Sequence, residues 1–328
     1  MAEIIGRRCK ILVGRETTEG TLSTLLKGFP DLSFSAEEVK NTLENTQGYG
    51  GIAGQAVNSK IGSRMANVTL SGICSGHLFP DLMRAVYSQM TTEDDTPVAD
   101  ADTHTFTLKE TNNPTSFSIA YYDGIEKKQV LGAVLDTLTI TIVAGEWTTW
   151  EASFMGKFPE TNATPDGSFV YEEAGAHFTA AEAELKLADA FSGFAAATAT
   201  PVLEGTLVFT KNASQDHNWG SVDIVKSYNG KFDVTGTLKV RWDGTLIDLF
   251  RNHTQKALQL SLTSDEFVTG TTPYSFVTQL DAVTLRTASI DRSLDDMTPL
   301  DIEFTREDKQ DTDKINSVVI NGTDGSEY

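Results

Sequence analysis

Apolar and polar residues alternate along most of this chain with a period of two. Residues 104–108 read His-Thr-Phe-Thr-Leu, residues 115–121 Thr-Ser-Phe-Ser-Ile-Ala-Tyr, and residues 135–143 Leu-Asp-Thr-Leu-Thr-Ile-Thr-Ile-Val. Large apolar side chains alternating with Thr, Ser or Asp predict strands with one face on a core and the other in water. The same reading places strands at 31–37, 65–73, 149–156, 183–188, 205–211, 231–241, 257–263, 274–278, 282–288 and 300–305. Asn112-Asn113-Pro114, Tyr122-Asp123-Gly124 and Ala144-Gly145-Glu146 supply turns between them.

Two segments switch to helical spacing. In 77–90, Leu78, Leu82 and Val86 recur every four residues beside Phe79 and Met83, with Pro80 in the first turn and Ser75 as a candidate N-cap. In 245–253, Leu246 and Phe250 form the apolar side.

These helices expose an internal repeat. Phe79-Pro-Asp-Leu-Met-Arg-Ala parallels Leu246-Ile-Asp-Leu-Phe-Arg-Asn at an offset of 167 (246 minus 79). The preceding strands, from Ala66 and from Phe232, match at 166 (232 minus 66), and Leu32-Ser-Phe-Ser parallels Leu207-Val-Phe-Thr. Later, the run from Trp147 to Phe154 parallels that from Met297 to Phe304 at 150 (297 minus 147). The shared order predicts a duplicated, mainly β chain: two tandem β-sandwich domains, 1–165 and 176–328, each flanked by one helix. The boundary falls in the turn-rich stretch 159–180, and residues 306–328 read as polar, ending in a loose tail.

Composition narrows the function classes. The 328 residues carry a net charge of −20, which repels nucleic acid and anionic membranes and favours solubility, or a surface past which DNA slides. Two cysteines far apart, without a Cys-x-x-Cys, give no zinc or redox signature. No apolar run reaches the length of a membrane span, and no long apolar core follows the basic residues near the N-terminus, so synthesis and retention in the cytoplasm until assembly are expected.

Candidate chemistry is thin. Gly72-Ile-Cys-Ser-Gly76 has the spacing of a nucleophile elbow around Cys74 and lies between a predicted strand and a helix. The second half repeats that strand and helix without it, and the alternating strands are not those of a buried parallel sheet. Gly48-Tyr-Gly50-Gly51-Ile-Ala-Gly54 departs from phosphate-loop spacing and reads as a flexible loop. Glu93-Asp94-Asp95 with Asp100 and Asp102 lacks calcium-loop spacing, the five His are scattered, and basic residues do not cluster with aromatics. No catalytic residue, cofactor or metal is expected.

The run His104-Thr-Phe-Thr-Leu, Pro114-Thr-Ser-Phe-Ser-Ile, Gly132, Leu138-Thr-Ile-Thr-Ile and Phe154-Met-Gly-Lys157 resembles the tail tube proteins of long-tailed bacteriophages. The resemblance is clearest over 60–157, and the second copy lacks the Thr-His-x-Phe and Pro-x-Ser-Phe wording. It implies a β-sandwich flanked by a helix, in rings that stack into a tube conducting DNA, with the tape measure protein passing through the lumen. Single-domain relatives close six-fold rings, so a duplicated chain implies three chains and pseudo-six-fold symmetry, with six chains as the alternative. Exposed strand edges are a hazard that ring closure removes.

Stacked rings also need an axial grip. The long, glycine-rich connection 41–64 is the expected arm, with Gly48, Tyr49, Gly50, Gly51 and Ile52 as contacts, joined by Trp219 from the shorter connection 212–230. Other readings are an adhesin-like β-sandwich binding module, another tail or baseplate ring protein and, third, a carbohydrate-active enzyme.

Overall fold

The structure, a computed structural model, describes residues 10–28, 32–44, 59–94, 101–122, 125–161, 175–241, 244–290, 299–307 and 315–321. The chain begins with β1 (Lys10–Arg15), β2 (Ser33–Leu43) and β3 (Lys60–Ile73), followed by helix α1 (Phe79–Tyr87). Then come β4 (Ser88–Asp94), β5 (Asp102–Leu108), β6 (Phe117–Tyr122), β7 (Lys127–Val143), β8 (Thr149–Gly156) and β9 (Glu160–Thr161). The second half holds β10 (Ala183–Ala188), β11 (Val202–Thr210), β12 (Ser214–Asp216), β13 (Lys226–Tyr228) and β14 (Asp233–Arg241). It continues with helix α2 (Gly244–Arg251), β15 (Lys256–Thr269), β16 (Thr272–Ile290), β17 (Pro299–Arg306) and β18 (Asn316–Asn321). The fold is mainly β.

The period-two pattern becomes buried and wet faces directly. In β8, Trp150, Ala152 and Phe154 point into the core while Thr149 and Glu151 are exposed. The main sheet is antiparallel in the order β2-β3-β8-β7-β11-β14-β17-β16. A second layer arises because β7 and β16 change partner along their length. The first part of β7 pairs with β6, which carries β1, and the first part of β16 pairs with β15, which carries β10. One contiguous hydrophobic core fills the space enclosed.

The two long strands are paired in the same register. Leu135 faces Phe154 and Leu285 faces Phe304, an offset of 150 (285 minus 135), and each register then shifts by one residue, at Asp136 and at Arg286. Phe117 faces Ala133 and Lys256 faces Val283, with a further shift after each pair. The 150-residue offset read between Trp147 and Met297 is therefore also the offset of these registers. For the neighbouring strands the register gives 168 (236 minus 68) rather than 166, because Val68 faces Phe154 while Gly236 faces Phe304. Gly236 is required there, since a Cβ would lie 2.4 Å from Phe304 Cζ and 2.3 Å from the Thr206 carbonyl oxygen.

Several boundaries differ from expectation. Residues 77–90 do not form one helix: α1 stops at Tyr87, where Ser88 takes a left-handed φ of 65°, and the chain leaves directly as β4. Ser75 is not the N-cap; Leu78 is, and the Ser75 carbonyl accepts from the Leu78 and Phe79 amides. The strands expected at 274–278 and 282–288 are one strand, β16. The polar C-terminal stretch contributes β18, which inserts between β16 and β5 and so attaches the first half's β4–β5 hairpin to the second half. Among the described residues the second half has no such hairpin; from α2 the chain passes through 252–255 into β15.

Candidate assembly surfaces

The sheet joins across the two halves at β7 and β11, and again where β18 pairs with β5. β7 pairs with β11 from Thr137↔Thr210 to Val143↔Glu204, so apolar Leu138 and Ile140 meet Phe209 and Leu207 on the core side. Beyond the joint, Asp136 holds the chain: its carbonyl accepts from the Lys211 amide (2.8 Å) and its carboxylate from the Ala213 amide (3.0 Å).

Along the path from β2 to β16, which continues through β18 and β5 to β4, two strand sides carry no partner strand among the described residues. One is the whole outer side of β2; the other is the side of β16 away from β17, over its last residues. Burial records the difference between a joined and an open strand. Thr137 and Thr139 of β7 are half-covered and Leu138 is buried, whereas their counterparts 150 residues on in β16, Thr287, Ser289 and Ala288, are exposed, exposed and half-buried. Open β edges are reactive toward other strands.

The sheet's face away from the core is hydroxyl-rich and acidic. Across it run rows such as Ser35, Thr69, Ser153, Thr137 and Thr210, set side by side by the register. On that face of the paired strands, Glu37, Glu151, Glu204, Asp233, Asp301 and Glu303 stand against Lys239 and Arg241.

The helices are unequally covered. α1 buries every residue except Asp81 and Arg84, partly against the second half: Phe79 stacks on Phe276, and Tyr87 lies 6.1 Å from Phe209 and from Phe232. Ser317 Oγ donates to the Tyr87 hydroxyl at 3.0 Å. Lys211 Nζ donates to the Ala85 carbonyl and to Ser88 Oγ, closing the C-terminal end of α1. α2 buries only Leu246 and Ile247, leaving Leu249 and Phe250 half-covered.

Of the sequence-predicted contact residues, Trp219 is described and stands wholly clear of the surface, at 104% relative exposure. Its loop is nevertheless held. The Arg64 amide donates to the Val222 carbonyl at 2.8 Å, and the Arg64 guanidinium grips Asp223 through both carboxylate oxygens, at 2.5 and 2.9 Å. That contact holds the Asp223 carboxyl below its ordinary pKa. Gly48, Tyr49, Gly50, Gly51 and Ile52 lie outside the described residues, as do Asp95 and Asp100 of the acidic run. The ion pair between Arg64 and Asp223 and the Lys211 cap were not foreseen: each joins residues more than a hundred positions apart and leaves no local sequence signal.

The elbow-like Gly72-Ile-Cys-Ser-Gly76 does not present a nucleophile. Cys74 is 1% exposed beneath the sheet, and burial pushes its thiol pKa well up, away from the reactive thiolate. Gly76 packs against Tyr274, whose hydroxyl lies 3.4 Å from His77 Nε2. Among the described residues no group of His, Cys, Asp and Glu is arranged to hold a metal ion, and no helix is long and apolar enough to cross a membrane.

A family model described as phage tail tube protein matches residues 6–312. No curated protein matches the chain.

Proposed function

The chain belongs to the phage tail tube protein family, and we propose that it is a non-catalytic ring subunit whose two halves are a duplicated tube domain. The observation that carries this reading is the recurrence of one strand order, β2-β3-β8-β7 and then β11-β14-β17-β16, with the same bulge 150 residues apart (286 minus 136). Independent folds would not share a register irregularity at matching positions.

Its place is the virion tail, as the family implies. There, three chains form a ring of six equivalent halves, and rings stack into a tube. The hydroxyl-rich face lines the lumen, with six carboxylates against two cations per chain on its paired strands. Such a wall offers DNA no array of cations to bind, so the duplex and the tape measure protein pass without sticking. The ends of the expected arm 41–64 are paired strand, Asn41 to Leu43 of β2 against Ser63 to Lys60 of β3; Trp219, together with the shorter connection 44–59, grips the next ring. Its support is an apolar ring fully in water on a loop that an ion pair holds in place.

Negative-stain microscopy and native mass spectrometry of the purified chain test this. Tubes or rings of three chains are expected. Six chains per ring overturn the stoichiometry, and monodisperse monomers at every concentration overturn the assembly role.

A further inference from the structure

We infer that Trp219 seats in an apolar cleft of a second copy, the opening between the two sheet layers of the second half, at the far end of β11. The inference rests on the stacked-ring reading above and names the receptor on the next ring.

The register shows why the cleft exists. β2 corresponds to β11 at an offset of 171 (206 minus 35), because Ser35 faces Thr69, Thr206 faces Thr237, and Thr69 and Thr237 are related by the 168-residue offset of β3 and β14. β6 corresponds to β15 at 139 (258 minus 119), because Ile119 faces Val130, Leu258 faces Leu280, and Val130 and Leu280 are 150 residues apart. In the first half the rings of Phe34 and Tyr121 meet between the layers, their centroids 5.2 Å apart. The same offsets put Gly205 and Leu260 at those places in the second half. One ring is lost outright and the other becomes a smaller side chain.

A cavity of about 90 Å³ stands where the rings are missing, lined by Ile140, Leu185, Leu207, Leu238, Leu258 and Phe304. A water needs only about 10–15 Å³, and apolar walls give it no partners. The space therefore suits an inserted apolar group, and an aromatic side chain is the largest such payload. Gly205 is not held there by crowding: an added Cβ would meet nothing closer than Leu238 Cδ2 at 3.4 Å, unlike one at Gly236.

Donor and receptor lie at opposite ends of one strand. The cleft opens beside the first residues of β11, Val202 and Leu203, and beside exposed Ala144, which follows the antiparallel β7. Trp219 lies in the connection that leaves the other end of β11, after Thr210. Strands in a closed sheet tilt about 40° from its axis, so the two ends of β11 face opposite ends of the ring. Stacking then brings the Trp219 loop of one ring to the cleft-bearing end of the next.

The loop presents the ring as a donor should. The Ser221 amide donates to the Asn218 carbonyl at 3.2 Å, and Gly220 has a φ of 87°, so Trp219 occupies the corner of a type II turn. It is the most exposed large apolar side chain among the described residues. Because Phe34 and Tyr121 occupy the counterpart site, each chain carries one donor and one receptor. The contact is head-to-tail, which gives the stack a single direction of growth.

Photocross-linking and cavity filling test the assignment. With Trp219→p-benzoylphenylalanine, irradiated tubes should yield cross-links between chains, mapped by mass spectrometry to 180–185 or 200–207. Gly205→Phe restores the ring that the first half has. It should fold and form rings of the parent mass, while mean tube length falls at least tenfold. Full-length tubes from folded Gly205→Phe overturn the receptor. So do cross-links between chains confined to other segments, and this second readout decides alone should Gly205→Phe not fold. Both results leave the ring reading standing. A parent chain that forms neither rings nor tubes overturns both.

Discussion

The Phe79 ring lies flat on the Phe276 ring, their centroids 4.1 Å apart and their planes 3° from parallel. One ring belongs to the helix of the first half and the other to the longest strand of the second, so the halves share a core. Truncating Phe276 to Ala removes a fully buried ring and leaves a cavity at that seam. A loss of about 3–5 kcal/mol is expected, read from urea unfolding of the subunit. Both halves should unfold in one transition; two separate transitions would show that the seam does not couple them.

Asp281 and Arg306 form the most deeply buried ion pair among the described salt bridges, at 2% and 10% side-chain exposure, with contacts of 2.5 and 3.2 Å. Asp281→Ala removes the buried carboxylate that the guanidinium grips and should cost about 3–5 kcal/mol. Asp281→Ala combined with Arg306→Met should recover most of that loss. A double variant no more stable than Asp281→Ala alone would count against an uncompensated charge as the cause.

Lys211 gives the stability a pH signature. Burial, with Lys109 as a nearby like charge, lowers its pKa from the ordinary 10.5 to about 7. The unfolded chain therefore keeps that proton over a range in which the folded chain has released it. Stability rises with pH from about 7 to about 10, and the cost of burying the charge is fully present below about 7. Lys211→Met removes the titration. The stability of the parent relative to this variant should climb across that window and be flat at about pH 5–6; a difference independent of pH would refute the assignment.

Trp219→Ala should leave subunit stability and ring mass unchanged while shortening tubes or abolishing them. Because this side chain is wholly in water in the single chain, its fluorescence should shift to the blue as rings stack. Replacing residues 44–60 by a short Gly-Ser turn should have the same effect on tube length. Full-length tubes from both variants would exclude an axial role for either segment.

Glu151 and Glu303 both lie on the acidic face of the sheet, exposed to solvent. Changing both to Lys should make assembled tubes retain duplex DNA, with retention falling steeply as salt is raised. Unchanged DNA retention would mean that this face does not line the bore.

Much of this architecture is legible in the chain because it is written locally. Trp150, Ala152 and Phe154 alternate with polar neighbours, and β8 comes out with the boundaries the pattern predicts. The α1 stripe is equally plain, yet its end is not, because one left-handed residue, Ser88, stops the helix where the apolar pattern continues to Met90. β18 is hidden by its charged surroundings: Val318 and Val319 make a short strand that only its neighbours β16 and β5 stabilise. The assembly surfaces divide the same way. The exposed Trp219 is a single readable residue, whereas the open edges of β2 and β16 are properties of pairing order that no local window contains.

The insertion of β18 beside β5 sets a clock on synthesis. His104 Nε2 donates to Asn321 Oδ1 at 2.9 Å, and Thr107 faces Asn316, so β5 meets its partner strand only about 200 residues of chain later. At translation rates of roughly 5–20 residues per second, the β4–β5 hairpin waits on the order of 10–45 seconds with that side unpaired. Throughout that interval the nascent chain displays an edge ready to pair with the wrong strand, including one from a neighbouring ribosome. The step that seals it is the arrival of β18, so a first half released early by a nonsense mutation would emerge with β5 unprotected.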